Sequence, residues 1–401
     1  MKQSIFFLVW LVAISFCSCK DDSIVEGENI ISSGGQDRDE DIITGDNYVY
    51  HIPVIFHVFC DDRSDTAQYI PQERLAQILS NVNELYKGDV YNENLDTTAS
   101  ENIHVQFELA LKDEKGNVLT TPGVEYIPYP DGKDSIDFKT FMNDNTRKYQ
   151  KYLWDPNDYV NVMVYKFTNG NSSSVTLGIS NMPYKVDNKP NLEGLTKHKS
   201  YPITKDELSF AYCVSINARY LSAYYEGTRY TTDKGKTTYV YNSADPNATL
   251  AHELGHYLGL KHVFSEKGDD DAADSDKDTD YCTDTPSYNR VEYEKWLKNY
   301  FATHNNYSMR DLAMRSNTSG KKWTADNLMD YNVCFNMRFT PNQANRMRQV
   351  LYYSPLIPGP KYSRTGTKAS RAAQGEAEDL PIVLSEPRQI NEITTEVRIS
   401  R

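Results

Sequence analysis

The sequence predicts an α+β domain over about residues 48–354, with a mixed sheet and helices. Three observations lead there. Strand-like apolar segments and an amphipathic helix share the first half of the chain. The composition, 39% hydrophobic and 12% aromatic, is enough for a sizeable core and excludes a disordered or fibrous chain. A histidine-bearing segment near residue 250 reads as a helix closed by a glycine turn.

The first element is an apolar run from Ile5 to Phe16, 12 residues long, after Met1-Lys2-Gln3. A membrane-spanning helix needs about 20 residues, whereas an export signal needs roughly 7–15. The run ends Phe16-Cys17-Ser18-Cys19, which resembles a bacterial lipoprotein signal. The expectation is a signal peptide over residues 1–18, a lipidated Cys19 and an outer-membrane lipoprotein displayed outside the cell. Plain secretion, with Cys19 a free or paired thiol, is the other reading. Residues 19–47 are polar and read as a flexible stalk.

His51–Phe59 is apolar and β-rich, a first core strand. Arg74–Tyr86 places Leu75, Ile78, Leu79, Val82 and Leu85 at helical spacing. Ile103–Leu111 alternates as a strand, and Tyr159–Tyr165 and Ser209–Ile216 read as two more. Residues 355–401 are Pro-rich and then polar, and read as a flexible C-terminal tail.

Lys and Arg number 43 against 56 Asp and Glu, a formal net charge of −13. Such a surface repels phosphate backbones, so nucleic acid is not the expected partner. With Cys17 removed and Cys19 lipidated, Cys60, Cys213, Cys282 and Cys334 remain. Four cysteines allow two disulfides in three pairings.

The chemistry lies in His252-Glu253-Leu-Gly-His256-Tyr-Leu-Gly259-Leu-Lys-His262. Asp245-Pro246 makes a helix cap and first turn. His252 and His256 at i and i+4 then share one helix face and can meet one Zn²⁺. Glu253 sits beside the metal, suited to activating a metal-bound water. Gly259 ends the helix in a left-handed turn, and His262 returns as the third ligand. Three neutral imidazoles leave zinc an open position, the catalytic arrangement. A bare H-E-x-x-H arises by chance, but the extended pattern with Gly259 and His262 is a metzincin signature. His51, His57, His104, His198 and His304 lack this spacing and read as structural. Asn327-Leu-Met329-Asp-Tyr331 supplies a methionine turn, with Met329 as a soft apolar floor. Tyr331 is placed to hydrogen-bond a developing oxyanion.

The zinc motif, Asp284-Thr-Pro286, Asn327–Tyr331, Phe339-Thr-Pro-Asn-Gln343 and Ile52–Phe59 together resemble the pappalysin-type, M43 metzincins over about residues 50–354. The resemblance implies a zinc endopeptidase with an upper subdomain (48–262) and an irregular, helical lower one (263–354), separated by the substrate cleft. It implies zinc on His252, His256 and His262, Glu253 as general base and then acid, Met329 in the turn, and Tyr331 at the transition state. The acidic stretch Glu266–Asp284 reads as a solvated loop by composition. The family carries a calcium loop there, which implies Ca²⁺ on Asp280 and Thr285 with the Thr279 and Thr283 carbonyls. Within the implied lower subdomain, Cys282 and Cys334 flank the methionine turn and are the favoured bridge; Cys60–Cys213 is left by subtraction. Residues 287–326 exceed the length expected of the family and read as an exosite or a surface elaboration.

In the family, substrate pairs with an upper edge strand, for which Ser174–Ser180 is the candidate. Some relatives cut beside Arg or Lys through an acidic pocket. Asn332–Asn342 has no acidic residue and contains Arg338, so no basic selectivity is read here. Asp46, in Thr44-Gly45-Asp46, reads as a turn rather than a latency switch. The expected partners are protein or peptide substrates and the membrane through lipid, with the chain a monomer. The competing reading is a non-catalytic surface binding protein on the same scaffold. Retained Glu253 and Tyr331 weigh against it, because a pure binder needs neither.

Overall fold

The computed structural model describes residues 47–90, 100–168, 174–186, 192–198, 203–227, 229–231, 237–239, 242–267, 271–331, 333–359 and 380–391. The expected signal peptide, Cys19, Asp46 and the stalk up to residue 46 lie outside the described residues.

In chain order the main elements are β1 (Tyr50–Phe59), α1 (Gln72–Lys87), β2 (Val105–Leu109), β3 (Val124–Ile127), β4 (Val160–Tyr165), β5 (Ser174–Ser180) and β6 (Val214–Asn217). Then come α2 (Pro246–Tyr257), α3 (Arg290–Thr303), α4 (Pro341–Tyr353) and β7 (Arg388–Asn391). Among the described residues the strands form one seven-stranded mixed sheet in the order β7-β5-β6-β4-β1-β2, with β3 also paired to β1. β2 runs parallel to the first half of β1 and β3 to the second half. β4 is parallel to β1, and β6 is parallel to β4. β5 is antiparallel to β6, and β7 is antiparallel to β5.

β1 and β4 are buried along nearly their whole length, as their continuous apolar runs require. Every residue of α2 is buried, so this helix shows no polar face and sits in the interior. It lies against α1: Asn81 Nδ2 donates to Asn247 Oδ1 at 3.1 Å, and the Tyr86 hydroxyl to the Ala251 carbonyl at 3.1 Å. Among the described residues no helix is long and apolar enough to cross a membrane.

Two expected strands are shorter than their patterns. The run from Ile103 becomes a strand only at Val105, because His104 takes a positive φ of 56°. The run from Ser209 becomes one only at Val214, after a buried irregular stretch.

The expected flexible tail is a larger correction. Leu356 and Ile357 are fully buried, and residues 388–391 form β7 on the edge of β5. The segment 380–391 buries Leu380, Arg388 and Ile390. Pro381 and Pro387 interrupt it, and its apolar residues are too few to show a period, so pattern alone reads it as coil. Residues 360–379 and 392–401 of the expected tail lie outside the described residues.

The expected disulfides are also corrected. Cys60, Cys213, Cys282 and Cys334 are all free thiols. Cys213 Sγ lies 3.8 Å from Met142 Sδ inside the core. Cys334 Sγ contacts the Asn327 carbonyl at 3.3 Å within its own turn. Both fill buried apolar or turn positions, the ordinary place of a small, weakly polar side chain.

Candidate metal centre

α2 begins where the sequence asks. Asp245 caps it, its Oδ1 accepting from the Asn247 amide at 2.7 Å, and Pro246 fills the first turn. The helix ends after Tyr257, and Gly259 takes φ 88°. That left-handed residue reverses the chain and brings His262 back to the helix face.

The three imidazoles converge. The Nε2 atoms of His252, His256 and His262 are 3.1 Å apart pairwise, and all three rings are buried. Their other nitrogens fix the tautomers. His252 Nδ1 donates to the Leu328 carbonyl at 2.7 Å and His256 Nδ1 to the Leu260 carbonyl at 2.8 Å. His262 Nδ1 faces Glu266 Oε1. Carbonyls only accept, so the protons sit on Nδ1 and the Nε2 lone pairs point at one another. Burial pushes all three imidazoles well below their ordinary pKa, which keeps them neutral. Three converging lone pairs repel unless a cation sits between them. Tetrahedral zinc with Zn–N of about 2.0–2.1 Å needs N···N edges of about 3.3 Å, so this donor set fits zinc.

Glu253 follows His252 on the same helix and is fully buried. Neither carboxylate oxygen has a hydrogen-bond partner among the described residues. Burial pushes its pKa well up, against the pull of Arg388 through its guanidinium and backbone amide. A buried carboxyl of raised pKa, adjacent in sequence to a metal-binding histidine, suits a proton-carrying group.

Glu253 touches β5 at Gly178. A Cβ there would stand 2.7 Å from Glu253 Cγ and 2.9 Å from its Oε1. Gly178→Ala is therefore expected to displace the carboxyl and lower kcat roughly 10–100-fold, the scale of a displacement of about 1 Å. Zinc content should stay unchanged. Unaltered kcat in Gly178→Ala would show that Glu253 has room to spare.

Met329 is fully buried beneath α2, with its sulfur against Gly255. The Asn327 side chain holds the turn by accepting from the Met329 amide at 2.9 Å. Tyr331 packs on the ligands, with ring centroids 5.7 Å from His252 and 4.5 Å from His262. Burial raises its phenol well above the ordinary value, so it remains a donor. The Asp284 motif anchors α4, with its carboxylate accepting from the Thr340 hydroxyl at 2.7 Å and the Asn342 amide at 2.9 Å.

Of the expected calcium residues, Asp280 and Thr285 are in contact through their side chains. Asp280 accepts from the Thr285 hydroxyl at 2.6 Å and the Cys282 amide at 2.8 Å. The Thr279 hydroxyl accepts from the Glu266 amide, and the Thr283 hydroxyl from Asn342. Both Asp280 oxygens are engaged by protein donors.

Sequence reasoning misses several residues at the site. Glu266 enters it only as loop charge, although its place four residues after His262 is a usable signal. Residues 287–326 prove to be partly interior. Arg290 is held by Glu294 at 2.8 Å and stacks 3.9 Å over the Tyr331 ring. Arg315 is fully buried behind the same turn. Arg388, from the expected tail, reaches the back of the triad, with Nη1 3.2 Å from His252 Nδ1. Nothing in local sequence marks Arg290, Arg315 or Arg388. His57, by contrast, is structural as expected, bonded to Glu125 and Asn161 inside the sheet.

Residues 222–352 match the model of the M43 peptidase family described as pregnancy-associated plasma protein-A. An extracellular metalloprotease of Arthroderma benhamiae is 38% identical over 121 residues, 30% of this chain and 35% of that protein. One from Arthroderma otae is 36% identical over 122 residues, 30% of this chain and 36% of that protein. The chain thus aligns with about a third of the length of these relatives. Among solved structures, mature mirolysin of Tannerella forsythia in complex with a cleaved peptide has a TM-score of 0.47 at 21% identity. That match covers 75% of this chain and 90% of the other. A mutant of promirolysin from the same organism has a TM-score of 0.47 at 20% identity, covering 78% of this chain and 85% of the other.

Proposed function

From the match of residues 222–352 to the M43 peptidase family model, we propose that the chain is a zinc-dependent metalloendopeptidase acting on extracellular proteins or peptides. The observation that carries the proposal is the convergence of three buried Nε2 atoms, with the fully buried carboxyl of Glu253 following His252 on the same helix. His252, His256 and His262 would hold the ion, which when bound supplies Lewis acidity toward a peptide carbonyl and an attacking water.

The chain's own groups do the rest. Glu253 takes a proton from the attacking water and returns it to the leaving amine, a task to which a pKa raised by burial suits it. The Tyr331 hydroxyl donates to the carbonyl oxygen as negative charge develops on it, a contribution typically worth a few kcal/mol. Arg290 over the Tyr331 ring restrains that ring and favours charge on the far side of its hydroxyl. Met329 and the backbone acceptors of the Nδ1 protons fix the imidazoles before substrate arrives.

The proposal places the protein outside the cell as a monomer tethered by lipid on Cys19, a location supported by Phe16-Cys-Ser-Cys19 and by relatives named extracellular. Recovery of the mature chain away from the membrane fraction would sink the tether.

The test of activity is digestion of a mixed peptide library by the zinc-loaded chain, read by mass spectrometry. Internal cuts that disappear on chelation and return with zinc are expected. A chain that binds one zinc yet cuts nothing, with the cleft shown to be open, would reject the reading.

A further inference from the structure

Residues 380–391 pack onto the sheet, with Leu380, Ser385, Arg388 and Ile390 buried. They run antiparallel along the outer edge of β5, from Met182 back to Ser174. The Met182 amide donates to the Val383 carbonyl at 2.9 Å, and the Ser385 amide to the Ser180 carbonyl at 2.8 Å. β7 then continues the ladder from Arg388 to Asn391. This is the edge that borders Glu253, through Gly178.

Two contacts fix where the segment crosses the site. The Tyr331 hydroxyl donates to the Pro387 carbonyl at 2.7 Å and lies 3.3 Å from that of Glu386. Arg388 follows at once and pairs with Gly178, the residue whose Cα side faces the Glu253 carboxyl. The Pro387–Arg388 bond therefore has its carbonyl oxygen at the proposed oxyanion donor and its Arg388 side paired with Gly178, the neighbour of the proposed proton carrier. Arg388 turns inward and is 1% exposed, with Nη2 donating to Asn336 Oδ1 at 3.0 Å and Nη1 to the Asp330 carbonyl at 3.3 Å. On the other side, Val383, Leu384, Ser385 and Glu386 wall a small cavity with His256 and Glu266. Ile390 is buried against Leu177 and Ala244.

We propose that residues 380–391 are an internal, substrate-like occupant of the cleft, with Pro387–Arg388 in the place of a bond to be cut and Arg388 as its anchor, so that other peptides bind only after it leaves. The inference rests on the peptidase reading for the roles of Glu253 and Tyr331, and on the structure alone for the occupancy. The physics favours a closed cleft. An occupant on the same chain competes at an effective concentration on the order of millimolar. Free peptides with KM between about 1 μM and 1 mM must displace it at that concentration. β-Strand addition to an open edge supplies main-chain hydrogen bonds whatever the sequence, and a buried side chain sets the register.

The experiment compares full-length chains: wild type, Arg388→Ala, and Ile390→Asp as a second variant at the far end of β7. Hydrogen exchange reads the occupant without any turnover. Both variants should exchange the amides of residues 383–391 and of the outer edge of β5 at least tenfold faster than wild type, with β4 unchanged. On a fluorogenic peptide they should show at least a tenfold lower apparent KM. A synthetic peptide of residues 380–391 added to either variant should restore the wild-type KM without changing kcat. Exchange in residues 383–391 that is already fast in wild type, or a KM equal in all three chains, overturns the proposal. Loss of protection without turnover in any chain would uphold the occupant and reject the peptidase reading instead.

Discussion

Glu253→Gln is expected to lower kcat/KM by about 10²–10⁴-fold, the range that a positioned general acid–base group contributes, while one zinc per chain is retained. Glutamine keeps the shape of the side chain in its contact with Gly178 but cannot accept a proton from water or return it to an amine. The wild-type carboxyl is fully buried, and glutamine in its place supplies no proton-accepting oxygen. Zinc retention follows because the three Nε2 donors and their Nδ1 partners do not involve Glu253. The measurement pairs steady-state kinetics with metal analysis on the same sample. A Glu253→Gln chain within threefold of wild type would remove Glu253 from the proposed chemistry, and a fall matched by lost zinc would make it a structural residue.

Arg315→Met should destabilise the fold by about 3–5 kcal/mol, the usual result of removing one partner from a buried ion pair. Arg315 lies within the stretch that the sequence alone presents as a surface elaboration. Its guanidinium pairs with the buried Asp330 at 3.4 Å and donates to the Val333 carbonyl at 2.9 Å. It also stacks 3.8 Å over Tyr293. Methionine fills much of the space and leaves the Asp330 carboxylate with the Tyr288 hydroxyl and the Tyr331 amide as its donors, and without a cation. Asp330 precedes Tyr331, so the loss should also loosen the proposed catalytic tyrosine and lower kcat. A thermal melt reads the first effect, with a fall in Tm of roughly 10 °C expected for a domain of this size. Adding Asp330→Asn should recover part of the loss, because it removes the stranded charge. A Tm within about 2 °C of wild type, less than a 1 kcal/mol change would produce, would show that the pair contributes nothing net.

The legible part of this protein is local. The zinc helix can be read because its requirements fall within one turn or two. These are an Asp-Pro start, histidines four residues apart, and a glycine where the chain must reverse. β1 and β4 can be read because a strand buried on both faces needs a continuous apolar run. β5 carries the bounds proposed for the edge strand, although β7 pairs along its outer side and takes the edge. Met329 and Tyr331 are legible only through family resemblance, since neither residue type announces its role alone.

The illegible part is long-range. Arg290, Arg315 and Arg388 arrive at the centre from segments that look polar and solvated, and charged residues are ordinarily exposed. The free thiols at Cys282 and Cys334 could not be foreseen, because pairing depends on distances that sequence does not state.

The sequence by itself determined the chemistry: which imidazoles share a face, which carboxyl stands beside them and which glycine returns the third ligand. Those properties follow from 3.6 residues per turn and from φ preferences, which act within a few positions of the chain. Only the tertiary structure decided what covers that chemistry. Residues 386–388 meet His252, Asp330 and Tyr331 more than 50 positions away. Such a contact depends on a sheet edge left open elsewhere and on a buried acceptor waiting there, and neither leaves a mark on the segment that fills it.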